Sequence, residues 1–309
     1  MKKIVTLLIS ALLCVACSKE EQNSKELKLA LLHTADTLPV IVAKNNLFFE
    51  EEGIDVTLIK FVSAAERDSA FQAGQVDAMS ADLVGTTLMR GAGMDVKIPI
   101  LTMGHKPGIG RVAILKSPHS SISQAKDLEG KEIGLSLNTV IEYIADQLLA
   151  TEGIDYNEVK KTSVPSIPTR LNMLIENQID AVVLPDPLAA YAEEKGAQVL
   201  LDDKQDNLGQ AVLTFHGKYL DSHEETVKAF IRAYNKAVRE LLSHPEDYQE
   251  LLTETIRLPK GMNYEVVEFP ENQVPLEKHY LRVKQWLESK GTLKVDIPYD
   301  TLVSDAYLE

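Results

Sequence analysis

Glu52-Gly53-Ile54-Asp55 and, one hundred residues further on, Glu152-Gly153-Ile154-Asp155 head two copies of one unit. The first is followed by an apolar run, a short helical pattern and then Gln75-Val76-Asp77-Ala78. The second leads through a β-rich run and a short helical pattern to Gln178-Ile179-Asp180-Ala181. Repeats are weighed before other signals because they reset the choice of fold. Each copy reads as a helix stopped at Gly, a strand, a crossover helix, and a strand entered through Val/Ile-Asp-Ala. Glycine supplies the left-handed cap that side chains resist. Strand, helix, strand in that order means a parallel pair, since parallel strands need a long crossover. Turn chemistry alone recurs for mechanical reasons. Both tetrapeptides in the same order, at offsets of 100 and 103, argue instead for duplication. Two such units imply two similar α/β lobes and a cleft between them.

The chain has 309 residues, enough for one large or two modest domains, with 45% apolar and 25% charged residues, as in ordinary globular proteins. Its start is a separate matter. Lys2 and Lys3 form a basic region, Ile4 to Ala16 an apolar one too short for a mature bilayer span, and Cys17 precedes a polar run. This layout resembles a bacterial lipoprotein signal, with residues 1–16 removed and Cys17 lipidated; a plain secretory signal is the alternative. Residues 17–26 then read as a solvated tether. Both cysteines lie in this leader, so a body starting at Cys17 has no disulfide, cysteine metal site or second thiol. A net charge of −14 disfavours nucleic acid and anionic lipid as partners, leaving the lipid as the only membrane attachment.

Alternating and periodic runs predict strands over residues 27–32, 54–61, 76–80 and 96–103, the last bulged at Pro99. They predict helices from Pro39 through Phe49, over 66–72 and over 82–90. Gly104-His105-Lys106-Pro107-Gly108-Ile109-Gly110 reads as the crossover out of the first lobe, since glycine tolerates left-handed backbone. The second lobe carries strands over 132–137, 159–164, 179–184 and 198–201. Its helices are expected over 139–151, where Thr139-x-x-Glu142 is a capping box, and over 169–176 and 188–195. Residues 211–215 lead back to the first lobe. The expected division is 27–109 plus 214–309 for lobe 1 and 110–213 for lobe 2. A second capping box, Ser222-x-x-Glu225, opens a long helix; further helices start at Pro245 and Leu276 and pad the first lobe. Trp286 shares a helical stripe with Val283 and Leu287, which favours core packing over ligand stacking.

Ligands of open parallel sheets bind beyond the carboxyl ends of the strands. That rule selects Thr34, Asp36, Thr37, Ser63, Ser80, Asp82 and His105 in the first lobe, and Ser136, Asn138, Thr139, Ser166 and Asp186 in the second. Most are small and polar, suited to hydrogen bonding a compact solute. Asn138-Thr139 lies at a helix N-terminus, which favours an anion or carbonyl, while Asp36, Asp82 and Asp186 favour N–H donors or positive charge. Asp36 and Asp82 read equally as helix caps. The seven histidines show no paired metal-ligand spacing, and neither a nucleophile elbow nor a Walker loop is present. No metal, cofactor or catalytic residue is expected.

Three stretches, residues 44–56, 73–78 and 127–134, resemble the nitrate/sulfonate/taurine (NMT1/THI5-like) family of ABC-transporter substrate-binding proteins. The resemblance runs from about Leu27 to Leu220. It implies a type II periplasmic-binding-protein fold, with two lobes, two crossover segments and closure on a solute. It implies as partners a small polar organic solute (aminopyrimidine-like or sulfonate-like), an ABC permease and its ATPase. It also implies a monomer at the cell envelope, periplasmic or on the outer face of the cytoplasmic membrane. The family's Glu/Asp-Pro element matches Asp186-Pro187, whereas its Gly-Ser/Thr anion loop is represented only by Ser136-Leu137-Asn138-Thr139. Alternatives on the same fold are an enzyme of thiamine-pyrimidine or menaquinone-precursor synthesis, and a sensory or adhesive lipoprotein.

Overall fold

A computed structural model describes residues 25–258, 262 and 264–309. The leader, Cys17 and the tether up to residue 24 lie outside the described residues. In chain order the elements are β1 (Glu26–Leu31), α1 (Leu38–Asn45), α2 (Phe48–Glu51), β2 (Asp55–Lys60), α3 (Ala64–Gln72), β3 (Ala78–Asp82), α4 (Leu83–Gly91) and β4 (Val96–Met103). Then come β5 (Val112–Lys116), β6 (Glu132–Leu135), α5 (Val140–Thr151), β7 (Lys160–Ser163), α6 (Ile167–Ile175), β8 (Ala181–Pro185), α7 (Leu188–Glu194) and β9 (Gln198–Asp202). The chain ends with β10 (Ala211–His216), α8 (Gly217–Ser222), α9 (Glu224–Ser243), α10 (Gln249–Thr255), α11 (Glu277–Ser289) and α12 (Tyr299–Leu302).

Two five-stranded sheets result, ordered β2-β1-β3-β10-β4 and β7-β6-β8-β5-β9. They superimpose in logic strand for strand. β1 lies parallel between β2 and β3, and β6 lies parallel between β7 and β8. In each sheet the fourth strand is antiparallel and arrives over a crossover from the other lobe: β10 beside β3, β5 beside β8. Asp77 and Asp180 each stand immediately before the central strand, whose first residue pairs with the sheet's first parallel strand (Leu29 with Ala78, Ile133 with Ala181). The helix ends repeat as well. Gly53 (φ 72°) and Gly153 (φ 68°) take the left-handed cap, with Ile54 N–H donating to Phe49 O and Ile154 N–H to Leu149 O, both at 3.0 Å.

Alternation along the strands sends side chains to two buried layers, Leu27, Leu29 and Leu31 to one and Ala30 to the other. The first layer holds α1, α2 and α9, the last two joined by stacked rings of Phe49 and Phe230 at 5.1 Å. The second holds α4, α5 and α11.

Several local expectations are corrected. The helix from Pro39 is broken: Leu47 sits at φ 61° and separates α1 from α2. Ser222 does not cap α9; its hydroxyl donates to Lys218 O, because it closes the short α8 directly before. At α5, Thr139 caps the Ile141 N–H at 3.2 Å, but Glu142 reaches past Thr139 to the Asn138 N–H at 2.8 Å. β4 does shift register against β10 at its own residues 98–99, where Pro99 was expected to disturb it. β10 begins at Ala211, so 211–213 are strand of the first sheet.

Trp286 is buried in the core, as its stripe predicts, yet α11 does more than pad the first lobe. Its indole N–H donates to Asp146 on α5 at 3.0 Å. Lys290, stacked over the Trp286 ring at 4.9 Å, pairs with Glu142 and Asp146 of the same helix, and Lys161 adds a second ammonium to both carboxylates. Burial would raise the Glu142 carboxyl, but Lys290, the Asn138 N–H and Lys161 together hold it below its ordinary value. A clasp of two buried acids and two ammonium groups thus ties the α4–α11 side of the first sheet to the second.

Candidate functional site

A cavity of about 200 Å³ lies between the carboxyl ends of both sets of parallel strands. From the first sheet it is lined by His33, Thr34 and Asp36 after β1, Ser63 and Arg67 at and within α3, and Ser80 and Asp82 of β3. From the second come Ser136 and Thr139 after β6, Arg170 of α6, and Asp186 after β8. Gly110, Gly209 and Gln210 of the two crossovers close one side, and Ile256 and Arg257 contribute after α10. Apolar side chains such as Val62, Ile141, Ile144, Ile167 and Leu188 form much of the remaining wall.

Predicted residues divide by what their side chains already do. Thr34, Asp36, Ser63, Ser80, Asp82, Ser136, Thr139 and Asp186 line the cavity. Thr37, His105, Asn138 and Ser166 are not among its lining residues. The Thr37 hydroxyl turns back to Thr34 O at 2.8 Å, and Ser166 caps α6 through the Thr169 N–H at 3.4 Å. His105 sits beside Glu268, and Asn138 holds a left-handed turn at φ 58°. Asp82 serves twice: its Oδ1 caps α4 through the Gly85 N–H at 2.8 Å, and it faces the cavity. Asp186 is committed: it takes both arms of Arg111 at 2.9 Å and the Ala190 N–H at 3.2 Å. Such a bidentate pair is strong and geometrically fixed.

Burial pushes the Asp36 and Asp82 carboxyls above their ordinary values, with Arg67 acting against that push at both. Arg67 is itself paired with Asp68 at 2.6 Å. His33 donates through Nδ1 to Thr255 O at 3.0 Å, and burial lowers its pKa, so the neutral ring leaves Nε2 as an acceptor.

His33, Arg67, Arg170 and Gln210 were not singled out from the sequence. Arg67 and Arg170 sit inside short helices, where a charged residue reads as a solvated face; both are buried. Their signal was positional: each lies a few residues after the N-cap (Ser63 and Ser166) of the crossover helix in its own copy of the repeat.

The crossovers touch. Gly104 takes φ 85°, and its carbonyl accepts from the side-chain amides of Asn207 and Gln210. A Cβ there would stand 2.1 Å from Gly209 O, so only glycine fits. Among the described residues no group of three or more His, Cys, Asp or Glu could hold a metal ion, and no helix is long and apolar enough to cross a membrane.

A family model described as NMT1/THI5 like matches residues 34–248. A putative aliphatic sulfonates-binding protein of Bacillus subtilis is 24% identical over 291 residues, covering 90% of this chain and 85% of the relative. The 4-amino-5-hydroxymethyl-2-methylpyrimidine phosphate synthase of Schizosaccharomyces pombe is 22% identical over 230 residues, 70% of this chain and 65% of that enzyme. Among solved structures, the alkanesulfonate-binding protein SsuA from Xanthomonas axonopodis pv. citri, bound to MOPS, matches with a TM-score of 0.75 at 15% identity, over 91% of this chain and 98% of that one. The structural likeness is one of fold.

Proposed function

This chain belongs to the NMT1/THI5-like family, and from that premise we propose that it is the solute-binding component of an ABC importer, capturing a small polar organic solute between its two lobes. The observation that carries this reading is the cavity, whose walls come from equivalent strand ends of both sheets and whose side is closed by both crossovers. A solute touching both walls stabilises the closed arrangement by its differential contacts, and the paired crossovers serve as the pivot. The division into 27–109 plus 214–309 and 110–213 is adopted with 211–213 moved to lobe 1, because these residues are strand of the first sheet, and with 203–210 as the pivot between β9 and β10. Calorimetry and mass spectrometry of solute co-purifying with the native protein test capture. The expected result is a stoichiometric small molecule; absence of any bound or binding solute overturns the reading.

Lipidation at Cys17, attachment to the membrane by that lipid alone, and action as a monomer complete the proposal. The leader pattern supports the first two. Cys17→Ser is expected to release the protein from the membrane fraction with solute binding intact. No bond is made or broken in this reading. The pyrimidine synthase relative supports a second one, an enzyme on the same fold, and turnover of a bound solute by purified protein would establish it.

A further inference from the structure

Of the buried polar atoms that lack a hydrogen-bond partner among the described residues, three belong to side chains lining the cavity: His33 Nε2, Gln210 Oε1 and Arg170 Nη2. They differ by side. Arg170 is 0% exposed. Its Nε donates to Val183 O at 3.1 Å and its Nη1 to Val164 O at 2.7 Å, which ties the exit of β7 to the middle of β8. That structural duty leaves Nη2 unexplained. Among the described residues no carboxylate compensates the guanidinium, and burial drags its pKa down to about 10. The acid lining the cavity on this side, Asp186, is already held by Arg111. A buried cation without a counter-ion is costly.

The opposite wall has the reverse character. Asp36 and Asp82 face the cavity. Arg67 acts on both but answers to Asp68, while Thr34 and the Gly85 N–H each serve one of the acids. The exposed Arg257 lines the cavity near His33. His33 Nε2 is an acceptor because Nδ1–H is taken by Thr255 O, and Gln210 Oε1 is an acceptor because its Nε2 serves Gly104 O. The two buried unpartnered atoms here, His33 Nε2 on this wall and Gln210 Oε1 at the crossover, therefore both need an N–H or O–H donor. Between the two walls lie apolar side chains.

We infer that the captured solute is a compact organic zwitterion: an acidic group on Arg170 Nη2, an apolar body, and an amino or amidine-like end received by Asp36 and Asp82. This rests on the solute-capture reading. A bare inorganic anion would satisfy Arg170 and leave the acceptor wall unmet.

The test is calorimetry on the full chain with three probes of one shape. These are 4-(aminomethyl)benzoate with both charges, 4-methylbenzoate with the acid only, and 4-methylbenzylamine with the amine only. In parallel, solute released by denaturing natively purified protein is identified by mass spectrometry. The doubly charged probe is expected to bind at least about tenfold tighter than either other. Arg170→Gln is expected to erase its advantage over 4-methylbenzylamine, and Arg170→Lys to restore part of the advantage. Asp36→Asn should do the converse, erasing the advantage over 4-methylbenzoate. Because Arg170 also ties two strands, Asp36→Asn carries the test if the Arg170 variants do not fold. Tightest binding of 4-methylbenzoate, an unaltered preference in Arg170→Gln, or a released solute lacking either an acidic or an amino-type group overturns the inference. If no probe binds, the released solute decides. No binding by any probe and no released solute overturns solute capture itself.

Discussion

The helix that leads into Glu-Gly-Ile-Asp is built differently in the two lobes. In the first it is interrupted at Leu47 and packs on α9 of its own lobe, ring against ring at Phe49 and Phe230. In the second, α5 runs unbroken from Val140 to Thr151 and turns Glu142 and Asp146 towards Trp286 on α11 and Lys290 just after it. Both copies nevertheless end in the same glycine cap and feed the same strand. The repeated tetrapeptide thus dictates how the helix stops, because left-handed backbone tolerates few residues. It leaves free what the helix leans on. One copy became internal padding and the other a tie between lobes.

The largest test of that contrast is Phe230→Ala, which empties the space between Phe49 and Phe215. A loss of about 3–5 kcal/mol in urea unfolding is expected, with the emission of Trp286 unchanged below the transition. Asp146→Ala should cost about 3 kcal/mol, because it strands the indole N–H and leaves Lys161 and Lys290 to share the one carboxylate of Glu142 at a buried site. Here the emission of the chain's single tryptophan should change before unfolding, since the tie itself is cut. If the two variants exchange these signatures, the assignment of the two helices is wrong.

Acidification tests the tie alone. The Glu142 carboxyl is held below its ordinary value in the folded chain, so its contribution is present above the unfolded pKa of 4.5. That contribution is lost as pH falls through the lower folded value. Melting temperatures from pH 5 to 3 should therefore fall more steeply for the natural chain than for Glu142→Gln. The smallest effect belongs to the interruption. Leu47 is 58% exposed and left-handed, so Leu47→Gly should raise stability by up to about 1 kcal/mol, read as a shifted urea midpoint.

What the sequence revealed and hid follows the same division. Gly53, Gly153 and the Asp-Ala strand entries were legible because backbone conformation is a local property. Ser63, Ser80, Ser136 and the three aspartates at strand ends were legible because topology alone brings strand termini to one crevice, whereas Ser166 turned out to cap a helix. Arg170 was not, because a guanidinium inside a nine-residue helix looks solvated until the sheet beneath it is known. The partner of Trp286 was not either, since Asp146 stands 140 positions away and no periodicity links them. Ser222 misled because a hydroxyl three residues before Glu fits both the close of one helix and the start of the next.

The strand inserted between β3 and β4 has a consequence for how the molecule is made. The second sheet is assembled from one uninterrupted stretch, β5 to β9, whereas the first lacks its inner member until β10 arrives at Ala211. A chain emerging amino end first can therefore finish the half encoded later before the half encoded earlier. The first hundred residues must wait, edges unpaired, for a strand that lies beyond the whole of their twin.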